Sequence, residues 1–285
     1  MKNAIEIKNL TKKYNDFKLD NINLNIPKGL IIGLIGENGA GKTTLIKAIL
    51  NIISIDKGSI KIFDKDYKKE DYSIKEDIGV VLDNMFFPEI LNAKDICCIM
   101  KDIYKNWDSN LYYNYLSKFD VPTSKKIKDL SKGMRKKLEI VTALSHKPKL
   151  LILDEPTSGL DPVVRDEVLD LFLDFIQEED NTILLSTHIT SDLEHIADRI
   201  VFIDKGKLIM DESRDDILDN YGILKCDIDY FNKIDKRDII SYRKGKYEYQ
   251  ILVANREKIK NKYKDCILDK ITLEELMVLV IKGEK

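Results

Sequence analysis

A glycine-rich octapeptide constrains the fold of this chain more than any other segment. Residues 36–43 read Gly-Glu-Asn-Gly-Ala-Gly-Lys-Thr and match the pattern G-x-x-x-x-G-K-[ST]. The apolar residues 30–35 that precede it predict a buried strand, and residues 43–53 follow it with helical spacing. A strand that leads through such a turn into a helix is typical of a phosphate-binding loop in an α/β protein.

The residue types of this loop suit a polyphosphate ligand. Glycines allow successive backbone N–H groups to point at phosphate oxygens, and the helix that follows adds the positive end of its dipole. We expect Lys42 to contact the β- and γ-phosphates and Thr43 to bind Mg²⁺. The expected nucleotide contacts are Gly36, Glu37, Asn38, Gly39, Ala40, Gly41, Lys42, Thr43 and Thr44.

Two adjacent carboxylates follow a second apolar strand. Residues 150–153 are Leu-Leu-Ile-Leu, and Asp154 and Glu155 come directly after them. Ligands of α/β sheets bind at the carboxyl ends of strands, and neighbouring side chains point to opposite faces, so the two acids can have different roles. We expect Asp154 to hold Mg²⁺ and Glu155 to deprotonate the water that attacks the γ-phosphate.

The rest of the chain alternates short apolar runs with helical patterns, which predicts a mainly parallel sheet covered by helices. Residues 86–148 are mostly helical in pattern, and we interpret them as an insert. Because the composition changes after residue 220, we divide the chain into a nucleotide-binding domain, 1–220, and a small α+β domain, 221–285. Near its end, Thr272 and Glu275 form a capping box before an apolar helical stripe.

The charge and the apolar pattern restrict the partners and the location. The chain has 47 Lys and Arg against 49 Asp and Glu, a formal net charge of -2. This balance gives no overall attraction for nucleic acid, which we do not expect as a partner. Apolar runs fall short of the roughly 18 residues of a transmembrane helix, and the N-terminus lacks a signal core, so we expect a cytoplasmic protein.

A third motif, residues 130–134, reads Leu-Ser-Lys-Gly-Met and opens a helical segment. A serine and a glycine at a helix start can bind an anion, although the serine can also simply cap the helix. With the phosphate loop and the acidic pair, this motif resembles the Leu-Ser-Gly-Gly-Gln signature of ABC (ATP-binding cassette) transporter subunits, with departures at Lys132 and Met134. The resemblance implies that Ser131, Lys132 and Gly133 contact ATP held by an opposing subunit.

The resemblance extends over residues 2–215 and implies further site residues. Tyr14 looks like the aromatic residue that stacks on adenine in this family. Asp161, in the sequence Ser-Gly-Leu-Asp, looks like the aspartate of the D-loop. His188, in Ser-Thr-His, looks like the switch histidine, which implies a catalytic role at the γ-phosphate beside Glu155.

The main departure from the family pattern is Asp83, which stands where these proteins usually have a glutamine at a strand end. A carboxylate has similar reach but adds negative charge near a polyphosphate. We therefore expect Asp83 to face the nucleotide and to support the metal ion rather than the phosphate, directly or through water. The alternative is that Asp83 and Lys132 both face solvent. A register shifted by one residue would instead make Asn84 the functional amide.

The resemblance implies a phosphate-loop NTPase core of the ABC type with an antiparallel β subdomain, a helical insert and a C-terminal appendage. It also implies an ATPase that uses ATP and Mg²⁺, pairs with a second ABC subunit as a homodimer or heterodimer, and powers a separate integral membrane permease at the inner face of the cell membrane. The chain looks most like subunits of multidrug, antibiotic-peptide and sodium exporters. Alternatives are an ABC ATPase acting on nucleic acid or the ribosome, and a phosphate-loop kinase, which leaves residues 130–134 unexplained.

Overall fold

The computed structural model describes residues 2–66, 73–83 and 87–284, which pack as two compact units. The first unit contains residues 1–189 and 201–209, and the second contains residues 190–200 and 210–285. The strands are β1 (Asn3–Lys13), β2 (Lys18–Pro27), β3 (Ile31–Ile35), β4 (Lys57–Ile62), β5 (Lys65–Asp66), β6 (Ile78–Val81), β7 (Leu150–Asp154), β8 (Thr182–Ser186), β9 (Arg199–Asp204), β10 (Lys207–Ser213), β11 (Gly222–Cys226), β12 (Ser241–Lys244), β13 (Tyr249–Val253) and β14 (Ile267–Lys270).

The helices divide between the same two units. They are α1 (Lys42–Ile49), α2 (Ser73–Glu76), α3 (Ala93–Ile103), α4 (Ser109–Lys118), α5 (Lys132–Leu144), α6 (Pro162–Phe175), α7 (Thr190–Ile196), α8 (Arg214–Asn220), α9 (Ile228–Phe231), α10 (Arg256–Lys262) and α11 (Leu273–Lys282). None of the helices in the described part of the chain is long and apolar enough to span a bilayer. The domain division at residue 220 stays a prediction.

The first unit contains one sheet entirely and a second sheet in which only the ends of β9 and β10 are assigned to the second unit. An antiparallel sheet has the strand order β2-β1-β4-β5, and a six-stranded sheet has the order β10-β9-β3-β8-β7-β6. Within the larger sheet, β3, β8, β7 and β6 are neighbours that run parallel. This arrangement confirms the predicted α/β class and brings the carboxyl ends of β3, β6, β7 and β8 to one edge.

The central strands of this sheet are buried on both faces. Every residue of β3, β7 and β8 is buried, and their sequences are rich in Ile and Leu. Such runs are typical of parallel strands covered by helices on both sides. The burial fixes the strands that end at the phosphate loop, at the acidic pair and just before His188.

Helix α1 ends earlier than the sequence pattern predicts. The pattern extends to Ile53, but the helix ends at Ile49 because Asn51 adopts a left-handed backbone with φ of 54°. Asparagine tolerates this conformation, and the N–H group of Ile52 then donates to the carbonyl oxygen of Lys47 at 2.9 Å. The prediction was wrong at this end because apolar spacing alone carries no stop signal.

The second unit contains an antiparallel sheet with the order β12-β13-β11-β14. The predicted capping box is confirmed: Glu275 N–H donates to Thr272 Oγ1 at 3.2 Å, and Thr272 N–H donates to Glu275 Oε2 at 2.9 Å. Helix α11 contacts α7, where the N–H group of Leu273 donates to Glu194 Oε1 at 2.6 Å. Leu273, Leu276 and Leu279 of α11 are buried, whereas Met277 and Val280 are half-buried.

Candidate nucleotide site

The glycine-rich segment connects β3 to α1, as its position between a predicted strand and helix requires. Gly39 and Gly41 have φ of 84° and 114°, which side chains of L-residues rarely tolerate. A Cβ atom at Gly41 would also lie 2.7 Å from Cζ of Phe17. Glycine is therefore required at position 41 for two independent reasons.

The side chain of Lys42, near the end of the phosphate-binding loop, is buried. Its Nζ donates to the carbonyl oxygens of Gly36 at 2.7 Å and Glu37 at 3.3 Å. Burial lowers the pKa of Lys42, while the negative charges of Glu155 and Asp154 act to raise it. The ammonium group therefore lies where the loop, the acidic pair and an incoming phosphate can all contact it.

Thr43 and Asp154 bring two oxygen ligands together. Thr43 Oγ1 donates to Asp154 Oδ2 at 2.8 Å, across 111 residues of sequence. Among the described residues, Asp154 Oδ1 and Ser186 Oγ are buried without a hydrogen-bond partner, and the two residues pair in register across β7 and β8. An unpartnered buried carboxylate oxygen fits a divalent cation of the Mg²⁺ type.

Protein side chains alone do not complete such a cation site. In the described ranges 2–66, 73–83 and 87–284, no group of three or more His, Cys, Asp or Glu side chains could hold a metal ion. Mg²⁺ in nucleotide sites usually takes one or two protein oxygens and obtains the rest from phosphates and water. The small donor set at Thr43 and Asp154 therefore fits an ion that arrives with a nucleotide.

The side chains of Glu155 and His188 are in direct contact. His188 Nδ1 lies 2.7 Å from Glu155 Oε2, and the side chains are 50% and 15% exposed, respectively. The N–H group of Glu155 donates to the carbonyl oxygen of Ser186 at 2.8 Å, which fixes the residue beside the end of β8. The structure thus brings together two residues that the sequence separates by 33 positions.

A cavity of about 560 Å³ is lined by nine of the eighteen predicted site residues, and Gly36, Ala40, Asp154 and His188 are not among its lining. Its lining consists of Asp16, Phe17, Glu37, Asn38, Gly39, Gly41, Lys42, Thr43, Thr44, Asp83 and Glu155. Asp16 and Phe17 have no sequence motif that predicts this position, because only the fold shows that the turn between β1 and β2 reaches the phosphate loop. Asn84, the alternative to Asp83, lies outside the described residues.

Tyr14 occupies a different position from the cavity wall. It is not among the described lining residues, the residue is 49% exposed, and Lys12 Nζ lies 5.3 Å from the ring centroid. In the same turn, the N–H group of Tyr14 donates to the carbonyl oxygen of Phe17 at 2.7 Å. Adenine stacking by Tyr14 therefore stays a prediction, and Phe17 is a second aromatic candidate.

Comparison with known proteins places this site in a family. Residues 19–158 match the family model of ABC transporters. The ABC transporter ATP-binding protein YtrB of Bacillus subtilis (strain 168) is 30% identical over 99% of this chain and 99% of its own length. The chain belongs to the ATP-binding subunits of ABC transporters. As a member of this family it is an ATPase.

Two further comparisons each cover about three quarters of this ABC subunit. The lantibiotic transport ATP-binding protein SrtF of Streptococcus pyogenes is 36% identical and aligns with 74% of this chain and 91% of its own. A solved ATP-binding subunit of an ABC transporter is 26% identical, with a TM-score of 0.68 over 75% of this chain and 91% of that one.

The signature residues of this ABC subunit make local contacts within the chain. Ser131 Oγ accepts from the N–H group of Met134 at 3.2 Å and caps α5. The side chain of Lys132 lies against Gly159, where it would contact any Cβ atom. Asp161 Oδ1 accepts from the N–H group of Val164 at 3.1 Å and caps α6. Contacts of these residues with a second nucleotide stay predictions.

Proposed function

We propose that this ABC subunit hydrolyses MgATP in the cavity between the phosphate loop and Glu155, and that two such subunits power a membrane permease that exports its substrate. The contact of 2.7 Å between Glu155 and His188 beside the nucleotide cavity carries the proposal. The similarity to SrtF, whose name refers to lantibiotic transport, supports an export role.

Binding of the phosphates is assigned to the loop and to Lys42. Backbone N–H groups of the loop contact phosphate oxygens, and Lys42 Nζ exchanges its carbonyl partners, Gly36 and Glu37, for the β- and γ-phosphates. Thr43 and Asp154 would hold Mg²⁺, which neutralises developing charge on the phosphates when it is bound. The ribose and base lie toward the turn that carries Tyr14, Asp16 and Phe17.

Glu155 and His188 are assigned to the chemical step. Glu155 accepts a proton from water while the water oxygen bonds to the γ-phosphorus and the bond to the β,γ-bridging oxygen breaks, which yields ADP and phosphate. His188 orients Glu155 through the contact at Nδ1, and its half-exposed ring is available to the γ-phosphate and the water.

The second nucleotide contact is assigned to an opposing subunit. Ser131 caps α5 through an acceptor oxygen, so its hydroxyl proton remains available to a phosphate of the partner's ATP. Lys132 and Gly133 would contact the same phosphate, and Asp161 would lie beside the dimer interface. A permease that binds the paired subunits would hold them at the inner face of the membrane.

The test is co-purification of this subunit with the membrane protein that it activates. We expect a permease to raise the MgATP hydrolysis rate, and we expect no stimulation by DNA, RNA or ribosomes. Transport of a fluorescent substrate by the reconstituted complex, in the direction away from the subunit, would establish export. Stimulation by nucleic acid or ribosomes instead would contradict the proposal.

Asp83→Gln is expected to raise the Mg²⁺ concentration needed for half-maximal ATPase activity. Asp83 lines the cavity, and its carboxylate is a harder ligand for Mg²⁺ than an amide oxygen. Loss of one charge-assisted contact corresponds to about a tenfold rise in the Mg²⁺ concentration needed for half-maximal rate. Magnesium titrations of the steady-state rate measure the effect. Asp77→Asn is the control, because Asp77 lies just before β6 and pairs with Lys149 at 3.4 Å. If wild type and Asp83→Gln needed the same Mg²⁺ concentration for half-maximal rate, Asp83 would not be part of the metal site.

A further inference from the structure

Lys136 is a buried cation that the nucleotide motifs do not account for. It lies in α5, five residues after Ser131, and its side chain is 7% exposed. Its Nζ donates to the carbonyl oxygen of Leu82 at 3.0 Å and lies 3.1 Å from Glu139 Oε2. A buried ammonium group is stable only with close partners, so this position is fixed by both contacts.

The backbone contact of Lys136 lies next to the nucleotide cavity. The pairing of β6 with β7 ends at Val81 and Leu153, and Leu82 is the next residue along the chain. Asp83 follows directly and lines the cavity. Beyond the last strand pair, the contact with Lys136 therefore holds the peptide that carries Asp83.

The charges of this region are also linked. Burial raises the pKa of Glu139, the positive charge of Lys136 opposes that shift, and the negative charge of Asp83 adds to it. Asp83 is thus close enough to the buried pair for their charges to interact. This charge interaction is consistent with the hydrogen bond that joins Lys136 to the carbonyl oxygen of Leu82, the residue before Asp83.

We propose that Lys136 is a positioning residue for ATP hydrolysis, because its ammonium group holds the Leu82 carbonyl and thereby directs Asp83 into the nucleotide cavity. The inference rests on the proposed function of that cavity. Helix α5 begins at the cap Ser131, so the same contact joins the signature segment to the nucleotide site of its own chain. The alternative is an ion pair that only stabilises the packing of α5 on β6.

A matched pair of variants isolates the ammonium group. Lys136→Met alone would leave Glu139 buried without a partner and could unfold the protein. Glu139→Gln removes the negative charge but keeps an amide oxygen that can accept from Lys136, so we expect Lys136 to stay on Leu82. The double variant Lys136→Met/Glu139→Gln then removes the ammonium group and keeps a side chain of similar length. Lys137→Met is the control on the same helix, because Lys137 contacts Glu167 and the Phe119 carbonyl instead.

The first readout is the magnesium dependence of hydrolysis. Relative to Glu139→Gln, we expect the double variant to need about ten times more Mg²⁺ for half-maximal rate, the size of one hydrogen bond to a charged group. Saturating Mg²⁺ should restore most of kcat. When both variants also carry Asp83→Asn, the double variant and Glu139→Gln should need the same Mg²⁺ concentration, because Lys136 acts through Asp83.

The second readout needs no nucleotide. Hydrogen exchange at the amides of residues 82–83 should be faster in the double variant than in Glu139→Gln, and Lys137→Met should match wild type. The inference would be overturned if the folded double variant showed the same hydrogen exchange or the same Mg²⁺ requirement as Glu139→Gln. It would also be overturned if loss of the ammonium group raised the Mg²⁺ requirement equally in the Asp83→Asn background. If wild type hydrolysed no ATP, the proposed function would fail, and the exchange experiment would still decide whether Lys136 holds this segment.

Discussion

Glu155→Gln is expected to bind ATP and to hydrolyse it about 10²–10⁴ times more slowly than wild type, the usual cost of losing a general base. The amide keeps the shape of the side chain and its place in the cavity wall, but it cannot accept the proton of the attacking water. Phosphate release under single-turnover conditions measures the rate, and light scattering with ATP and Mg²⁺ should detect a stable dimer.

Glu167→Gln serves as the control for this variant. Glu167 lies on α6, pairs with Lys137 at 2.9 Å and does not line the cavity, so its amide should leave the rate close to wild type. A rate for Glu155→Gln that matches this control would show that another group accepts the proton.

Lys42→Met is expected to weaken ATP binding by about 10- to 100-fold, as the loss of a hydrogen bond to a charged group predicts. Methionine keeps the apolar stem that the loop buries but removes the cation that the phosphates contact. Titration with a fluorescent ATP analogue measures the affinity. Lys47→Met, at an exposed position of the same helix, should bind ATP like wild type. An affinity for Lys42→Met within twofold of that control would be incompatible with phosphate binding by Lys42.

Local patterns of the sequence were sufficient to predict the phosphate loop and the acidic pair at the centre of the site. The buried strand, the glycine loop and the start of α1 are adjacent in sequence, and the acidic pair follows directly on β7. The order of parallel strands then brings these segments to one edge without any further information. The predicted end of α1 was wrong because the left-handed conformation of Asn51 depends on local backbone geometry rather than on apolar spacing.

Contacts between distant segments could not be predicted in the same way. Phe17 reaches the phosphate loop through the turn between β1 and β2, and Lys136 reaches Leu82 across 54 residues. Neither residue has a sequence pattern that indicates its partner, because each contact depends on how the elements pack. Ser131 shows a further limit, since one residue type serves equally as a helix cap and as a phosphate ligand.

The backbone at Glu155 has a consequence for attempts to engineer a more heat-resistant form of this protein. Its φ of 52° is left-handed, a conformation that costs a residue other than glycine about 1–3 kcal/mol. Glycine or asparagine at this position would relax the backbone and raise the free energy of unfolding. Selection for thermal stability alone would therefore favour replacement of the carboxylate, and a library built for stability must keep position 155 fixed.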